Sequence, residues 1–509
     1  MREHRGVSVT PRRYLALAGA VAALAGIAVS HAAAALVHAR TTPIQAVAEQ
    51  VIARTPGRVA ETLIGVVGRK DKPILVATVT LAVIALGALA GVLSARRPWL
   101  GNLVFVAMAV VALLAAMAQP GFTPVSVLPL GAGTATWLVL LAWLVDAAPR
   151  AGTEPADPGR RTFLLKAGGT AAVALVVAAS GGLLGRARQS VEVARRALRL
   201  PVTRGTVPAG AEIGPSGTTS WRVSNDAFYR IDTALVVPTV DPVPWRLRIH
   251  GMVDRQITLG YQDLLKRQLT EAWVTICCVS NPVGGDLIGN AWWSGVRIAD
   301  LLAEAGVQPG ADAVKQTSKD GWTCGTPVEA LTDHRNALLA VAMNGQPLPV
   351  EHGFPVRMVV PGLYGFVSAT KWLVDLEVTR FADFTAYWTD RGWSAQAPVK
   401  TESRIEVPRS GARLPAGNVR VGGHAWAQHT GIERVEVRLD GGAWQPAELG
   451  SVPGNDTWVQ WAATVTAPTG DHTLAVRATD RSGYTQTAAR ADVVPNGATG
   501  WHTVDFSTG

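Results

Sequence analysis

The chain has 509 residues, of which 48% are apolar and 17% charged, with a mean hydropathy of +0.20. That balance excludes a disordered chain and a protein soluble throughout, and three cysteines in such a length exclude a disulfide-stapled scaffold. The net charge of +9 is no nucleic-acid signature, because Arg and Lys flank apolar segments or stand singly on strand-like stretches, so no nucleic-acid partner is expected.

Apolar character concentrates before about residue 190, whereas 14 of the 17 Trp follow it, so a membrane part precedes a globular part. A span needs about 20 apolar residues at 1.5 Å rise each. Five stretches qualify: 15–37, 74–93, 99–118, 125–145 and 163–184, within which Lys166 is the one full charge. They are apolar all round and too long for core helices of a soluble domain. Between the first two, Pro43–Gly68 carries apolar residues at helical spacing and is expected to lie in the interface.

With the N-terminus inside, nine Arg are cytoplasmic (Arg2, Arg5, Arg12, Arg13, Arg96, Arg97, Arg150, Arg160, Arg161) against twelve basic residues outside, six from Arg40 to Lys72 and six from Arg186 to Arg204. The positive-inside count therefore favours the opposite orientation. Before the fifth span, however, Gly159-Arg160-Arg161-Thr162-Phe163-Leu164-Leu165-Lys166 resembles a twin-arginine export signal, whose apparatus moves folded domains. A folded cargo moves as a unit and need not obey the loop-charge rule. The expectation is a multi-pass membrane protein with a cytoplasmic N-terminus and everything after residue 190 outside the cytoplasm.

The expected organisation is a membrane anchor at 1–190, a linker at 191–217 that is rich in Pro and Gly from Pro201 to Gly217, a mixed α+β domain at 218–397 and an all-β sandwich at 398–509. In the third part Trp245–His250 and Trp273–Cys277 read as strands, and Gly260–Leu265 and Ile298–Ala305 as helices. In the fourth, short strands at Val419–Val421, Ile432–Leu439, Trp458–Trp461 and Thr473–Ala478, with Asp440-Gly441-Gly442 as a hairpin turn, indicate a sandwich of about 100 residues. His424, His429 and His472 stand singly there and are read as structural.

Chemistry concentrates in the third part, which holds Cys277, Cys278 and Cys324. Adjacent cysteines bridge each other only with strain, so two dispositions stay open: one of the pair bridged to Cys324, with an odd thiol that is either buried or a soft metal ligand. There is no His-Glu-x-x-His, Cys-x-x-Cys, Gly-x-Ser-x-Gly or Walker loop. Gly284-Gly285-Asp286-Leu287-Ile288-Gly289-Asn290 lacks the Lys-Ser/Thr ending of a phosphate loop. Among the spans only His31 offers a haem ligand.

Several ordered blocks carry a resemblance: Asn225-Asp226-Ala227-Phe228-Tyr229-Arg230, Cys278-Val279-Ser280-Asn281, Gly289-Asn290-Ala291-Trp292-Trp293-Ser294-Gly295-Val296 and Ser318-Lys319-Asp320-Gly321. Further on come Met343-Asn344-Gly345, His352-Gly353-Phe354-Pro355-Val356-Arg357, Val360-Pro361-Gly362 and Thr370-Lys371-Trp372. Together they resemble the sulfite oxidase family of molybdopterin oxidoreductases over about residues 218–509, leaving the five-helix anchor outside. The resemblance implies a Mo-molybdopterin cofactor with Cys278 as the molybdenum ligand, a thiolate suited to a metal cycling between Mo(VI) and Mo(IV). It also implies that Asn225, Phe228, Tyr229, Arg230, Asp320, His352, Arg357, Ser368, Ala369, Thr370 and Lys371 hold the cofactor. Arg357 and Lys371 suit its phosphate as a fork and a point charge. The plain alternatives are a structural His352, a surface ion pair at Arg357 and a core Tyr229. The C-terminal sandwich resembles the family's immunoglobulin-like dimerisation domain, which implies a homodimer.

Where sulfite oxidases continue after the metal-ligating Cys with Gly-Asn-Arg-Arg, this chain reads Ser280-Asn281-Pro282-Val283, and the family's catalytic Tyr falls at Trp393. Loss of that cationic pocket argues against a small dianion, whose desolvation needs paired positive groups. Arg230 and Arg391 remain as candidates near the metal. The catalytic expectation is therefore Cys278, Arg230 and Trp393, with two-electron or oxygen-atom-transfer chemistry on a neutral or sulfoxide-like substrate and a quinone or haem protein as redox partner. Two other readings compete: a cofactor-free binding or adhesion module on a membrane anchor, and, ranked last, a transporter, whose spans would carry a buried acid or charge pair.

Overall fold

The computed structural model describes residues 11–37, 39, 41–55, 71–119, 122–149, 158–183 and 186–509. Arg2, Arg5, Arg40, Arg58, Arg69, Lys70 and Arg150 of the topology count, residues 56–68 of the expected interfacial stretch, and Leu184 lie outside them. The chain divides into two compact units, Met1–Ser190 with Ala234–Pro238, and Val191–Thr233 with Thr239–Gly509.

The first unit contains α1 (Arg12–Leu36), α2 (Pro43–Arg54), α3 (Asp71–Ser94), α4 (Pro98–Met117), α5 (Leu128–Asp146) and α6 (Pro158–Leu183). Among the described residues five helices are long and apolar enough to cross a membrane: α1, α3, α4, α5 with the turn before it, and α6. They coincide with the five expected spans to within a few residues. Large side chains face outward, with Leu175 71%, Leu165 67% and Val139 66% exposed, an apolar surface of the kind a lipid environment accommodates. Inside, small residues bring backbones together. A Cβ on Gly19 would lie 1.9 Å from the Gly87 carbonyl oxygen, so α1 and α3 pack with no side chain between them. Trp137 of α5 donates to the Ala23 carbonyl at 3.0 Å and stacks on Phe105 of α4 at 5.2 Å. The interfacial stretch starts as a helix because Thr42 and Gln45 form a capping box with Pro43 in the first turn.

The second unit begins differently from the expected linker at 191–217. Its first residues belong to α7 (Arg186–Ala197), where Glu192 pairs with Arg195 at 2.6 Å and Arg196 at 2.8 Å, spacings that favour a helix. The Pro/Gly-rich remainder is irregular, as composition predicts, but fastened down. Thr203 donates through its backbone and hydroxyl to Glu271, both at 2.8 Å, and the backbones of Ile213 and Gly214 share the Gln460 Oε1 acceptor at 2.9 and 3.0 Å. Trp221 and Trp458 exchange indole-to-carbonyl hydrogen bonds at 3.1 and 2.9 Å. Trp221→Phe removes one of these and leaves a buried carbonyl unpaired, so it is expected to lower stability by about 1–2 kcal/mol. The thermal midpoint of the full-length protein in detergent checks this, and an unchanged midpoint would show the exchange to be idle.

Two sheets follow. The first, in order β2-β1-β10-β5-β6, is built from β1 (Arg246–Gly251), β2 (Ile257–Gly260), β5 (Ala313–Ser318), β6 (Thr323–Pro327) and β10 (Leu373–Thr379), with β1 and β10 parallel. The second runs β3-β4-β7-β8 with β9 on β7: β3 (Thr270–Cys277), β4 (Ile288–Arg297), β7 (Leu338–Met343), β8 (Gln346–Pro347) and β9 (Arg357–Val359). The expected helix at Ile298–Ala305 has those bounds, closed by Gly306 in the left-handed region.

The C-terminal part is a pair of sheets around one core. One contains β11 (Glu402–Val407), β13 (Gly417–Trp426), β16 (Glu448–Leu449) and β17 (Val459–Ala467). The other contains β12 (Ala412–Leu414), β14 (Ile432–Leu439), β15 (Gln445–Pro446), β18 (Gly470–Asp480) and β19 (His502–Thr508). Val421, Val435, Val437, Trp461, Leu474 and Val476, all fully buried, fill the space between them. Asp440 and Gly441 take φ of 50° and 72°, the left-handed pair a tight hairpin needs. The three single histidines have structural roles: His424 stacks on Trp458, His429 meets Asp456 at 3.2 Å and His472 meets Asp440 at 2.7 Å. No cluster of three potential metal ligands exists among the described residues.

Candidate functional site

Cys278 follows the last residue of β3 and opens the loop to β4. The loop is closed on itself: Cys278 N donates to Leu287 O at 2.9 Å, Asn281 N to Cys278 O at 3.1 Å, and Leu287 N to Asn281 Oδ1 at 2.8 Å. Asn281 therefore acts as a clamp that presents the Cys278 thiol. Burial pushes that thiol's pKa up, while the Ser280 backbone and hydroxyl, which hydrogen-bond the sulfur, and the Lys371 charge pull it back. Cys277 and Cys324 are buried as well, and all three thiols are free. This excludes the bridge to Cys324, whose sulfur lies 3.2 Å from Thr370 Oγ1 and whose pKa burial pushes up to about 12.

A second group converges from the segment 352–372. Gly353 at φ 111° brings the two arms of the turn so close that a Cβ would lie 3.1 Å from Lys371 Cβ. Trp372, a bulky residue held at φ 51°, turns Lys371 inward, with its indole donating to Val350 O at 2.8 Å. These devices place His352, Arg357 and Lys371 in the wall of one cavity of about 120 Å³, which Cys278 and Tyr229 also line.

The electrostatics of that wall are unusual. Arg357 is 4% exposed, and its donors reach only backbone carbonyls: Met358 at 3.3 Å, His352 at 3.2 Å and Ala369 at 3.4 Å. Among the described residues no carboxylate pairs with it, so burial pulls its pKa down to about 10. The surface ion pair is thus excluded. Lys371 pairs with Asp232 at 2.9 Å and still falls to about 8 through burial. His352 is 2.9 Å from the Asn225 carbonyl through Nε2, which assigns the proton there and leaves Nδ1 as acceptor; burial and Arg357 lower its pKa to about 4. Ser318, 3% exposed and also lining the cavity, has a hydroxyl with no partner among the described residues. A buried guanidinium without an acid, an orphaned hydroxyl and a soft sulfur in one cavity fit a phosphate-bearing ligand with a thiophilic metal.

The expected site residues divide in two. Phe228, Tyr229, Cys278, Asp320, His352, Arg357, Ala369, Lys371 and Trp393 line the cavity. Asn225 stands behind His352 as its acceptor and receives Asn344 Nδ2 at 2.8 Å. Arg230 is absent from the lining; its side chain is 43% exposed and lies 3.1 Å from Asp232. Ser368 Oγ donates to Leu363 O and Tyr364 O at 3.2 and 2.9 Å, and Thr370 Oγ1 to Gln316 Oε1 at 2.5 Å, so both side chains brace the loop instead of facing the cavity. Arg391 lies over the Tyr387 ring at 3.8 Å and also stays out of the lining.

Sequence reasoning missed Asp232, Ser280, Ser318, Trp322 and Trp388. Asp232 follows Arg230 by two positions, but its importance comes from Lys371, 139 residues later. Trp388 and Phe366, 6.2 and 5.7 Å from Trp393, form with it an aromatic side to the cavity, which Trp322 also lines. Behind Cys277, Glu402 of β11 is 6% exposed and accepts from Gln486 Nε2 at 3.1 Å, and burial raises its pKa to about 8.

A family model described as an oxidoreductase molybdopterin binding domain matches residues 234–388. Mitochondrial sulfite oxidase of Mus musculus is 31% identical over 286 residues, 48% of this chain and 52% of that one. The chain thus spans about half the length of the mammalian mitochondrial sulfite oxidases it matches. An uncharacterized oxidoreductase of Bacillus subtilis, YuiH, is 35% identical over 153 residues, 30% of this chain and 74% of the relative. The solved sulfane dehydrogenase SoxCD from Paracoccus pantotrophus aligns at 24% identity with a TM-score of 0.49, covering 55% of this chain and 80% of that one.

Proposed function

The chain belongs to the sulfite oxidase family of molybdopterin-binding oxidoreductases, and we propose that it is a membrane-anchored enzyme performing oxygen-atom transfer on an uncharged substrate outside the cytoplasm. The observation that carries this reading is the single cavity holding the Cys278 thiol, the acid-free Arg357 and the unpartnered Ser318 hydroxyl. A cofactor-free binding module would have no use for a buried unpaired guanidinium, which destabilises a fold unless an anion joins it.

Molybdenum in a pterin dithiolene supplies two-electron, oxygen-atom exchange chemistry. The chain's residues surround that chemistry in distinct roles. Arg357 offers a planar fork and Lys371 a point charge to the phosphate, and Ser318 a hydroxyl. His352, its orientation fixed by Asn225, would offer Nδ1 as an acceptor to the pterin. Cys278 is the metal ligand, and the Ser280 donors stabilise its thiolate. Trp393, where the family has its catalytic Tyr, excludes water and offers no proton.

The substrate class follows from what is left over. Lys371 and Arg230 share Asp232, Arg391 lies on Tyr387, and the segment after Cys278 has no arginine. No cation among the lining residues remains for a dianion, whereas Trp322, Trp388 and Trp393 suit an apolar substituent, as in a sulfoxide. The twin-arginine pattern supports the external location, the C-terminal sandwich an immunoglobulin-like homodimerisation domain, and the helices a quinone or haem protein as electron partner.

Elemental analysis of the full-length protein, purified from membranes of a host that makes the cofactor, tests the reading. About one molybdenum per chain is expected, with Cys278→Ser losing most of it while the protein remains folded. A wild type without molybdenum would overturn the proposal. Turnover of sulfite above that of neutral sulfoxides would overturn the substrate class alone.

A further inference from the structure

The five-helix unit contains a cavity of about 880 Å³ that nothing above uses. Its walls are almost wholly apolar side chains from α1, α3, α4, α5 and α6, with Trp137 on one side and the start of α2 at one end. Tyr14 of α1 meets Phe163 of α6 at 5.6 Å, and Ala25 and Ala28 pack on Ala174, so α1 and α6 run parallel. The lining residues of both helices, from Leu24 to His31 and from Ala171 to Ala178, lie in their C-terminal halves. The cavity therefore sits in the half of the bundle that holds the C-terminal halves of α1 and α6.

Two polar side chains stand out in it. Thr78, Thr80, Ser94, Thr134, Thr136 and Thr170 all donate to the carbonyl four residues earlier, which is how a hydroxyl is satisfied in a membrane helix. Ser30 does not. It is 7% exposed and its hydroxyl has no partner among the described residues. His31, the next residue, also lines the cavity, and among the described residues no hydrogen bond or ion pair involves it. Haem would need a second ligand, and no cluster of metal-binding side chains exists among the described residues. Water needs two to four polar partners per molecule, too many for so apolar a space. An acyl chain would fill the volume but leave Ser30 and His31 unsatisfied.

We propose that this cavity binds a quinone, a lipophilic ring with two oxygens, whose carbonyl or hydroxyl groups hydrogen-bond Ser30 and His31 while its isoprenoid tail fills the apolar remainder. A large apolar pocket with a few placed polar groups is the general form of such a site. Binding stands independently of the molybdenum reading, and its redox use rests on that reading. Oxidation of a substrate by one oxygen atom from water releases two electrons and two protons, and a quinone takes up both pairs to become the quinol; in the reverse direction the quinol supplies them.

The probe is tritiated decylubiquinone, measured by equilibrium dialysis against the delipidated full-length protein in detergent. One site per chain is expected, with Ser30→Ala and His31→Leu each weakening binding about tenfold, the effect of losing one hydrogen bond in an apolar site. His31→Gln, which keeps a donor, should recover most of the affinity and covers the case in which His31→Leu fails to fold. Binding unaffected by both Ser30→Ala and His31→Leu, by Ser30→Ala alone where His31→Leu does not fold, or displaced equally well by phosphatidylglycerol, would overturn the proposal in favour of lipid filling. Cys278→Ser protein should bind the probe normally, so a failure of the molybdenum reading leaves this result intact and distinguishable.

Discussion

Arg357→Leu is expected to move two quantities in opposite directions. The cofactor-free protein should gain about 1–3 kcal/mol of stability, while cofactor retention falls about 100-fold or more. The gain arises because Arg357 is 4% exposed, faces no acid among the described residues and has its pKa pulled from 12.5 to about 10 by burial. For a base whose pKa falls on folding, the charged form is disfavoured in the folded state. The cost is complete below about pH 10, where both states are charged, and is relieved as pH rises toward 12.5. Taken at face value the shift is worth about 3 kcal/mol. The three carbonyls that lose a donor at 3.2–3.4 Å reduce the net gain. The loss has the opposite origin, because an anion brought to a desolvated guanidinium is held by a charge-assisted fork that Leu cannot replace. Thermal melts of protein from a host without the cofactor read the first quantity, and molybdenum content from a competent host the second. A less stable apoprotein would make Arg357 a structural residue and remove the argument for an anion.

Legibility differed between elements for physical reasons. The five spans were readable because a membrane helix is specified by composition over 20 residues, a signal that needs no partner. Ile432–Leu439 was readable end to end because one face is solvated, so the sequence alternates, and because Asp440-Gly441 marks the turn. In the other sheet of the pair, Gly417–Trp426 and Val459–Ala467 outran the expected strands Val419–Val421 and Trp458–Trp461, since their buried runs suppress alternation. The stretch 191–217 carried the composition of a linker, and composition has no record of Gln460 or Glu271, which fasten it. In the site, motif position located the residues that face the cavity and, with equal weight, Ser368 and Thr370, which face away. A motif constrains a loop as a whole and does not separate side chains that touch a ligand from those that hold the loop. Asp232 was invisible, and Ser318, though inside a matched block, had no role, because their significance is relational: one pairs with Lys371, the other's hydroxyl has no partner among the described residues.

The second large effect concerns the seam behind Cys277. Glu402→Gln should leave stability unchanged near pH 5 and raise it by about 2–4 kcal/mol at pH 8–9. Glu402 is 6% exposed; burial raises its pKa from 4.5 to about 8, with the Lys400 charge and the Gln486 amide opposing the rise, while the Tyr364 hydroxyl and Cys277 thiol face the same region. For an acid whose pKa rises on folding, the folded state keeps a proton that the unfolded state has released, at every pH between those two values. Stability therefore falls as pH climbs from about 4.5 to 8 and levels off above, where both states are ionised. Gln carries no titratable proton and can still accept from Gln486, so the variant lacks that decline. Urea midpoints of wild type and variant, taken in parallel from pH 5 to 9, read the effect of Glu402 and its coupling to Lys400, Tyr364 and Cys277, because groups that do not face it cancel in the difference. A gap that stays constant across that range would show that Glu402 is ionised throughout in the folded protein. The charge would then have to be held by Lys400, and the seam behind the Cys278 loop would be an ion pair instead of a neutral contact.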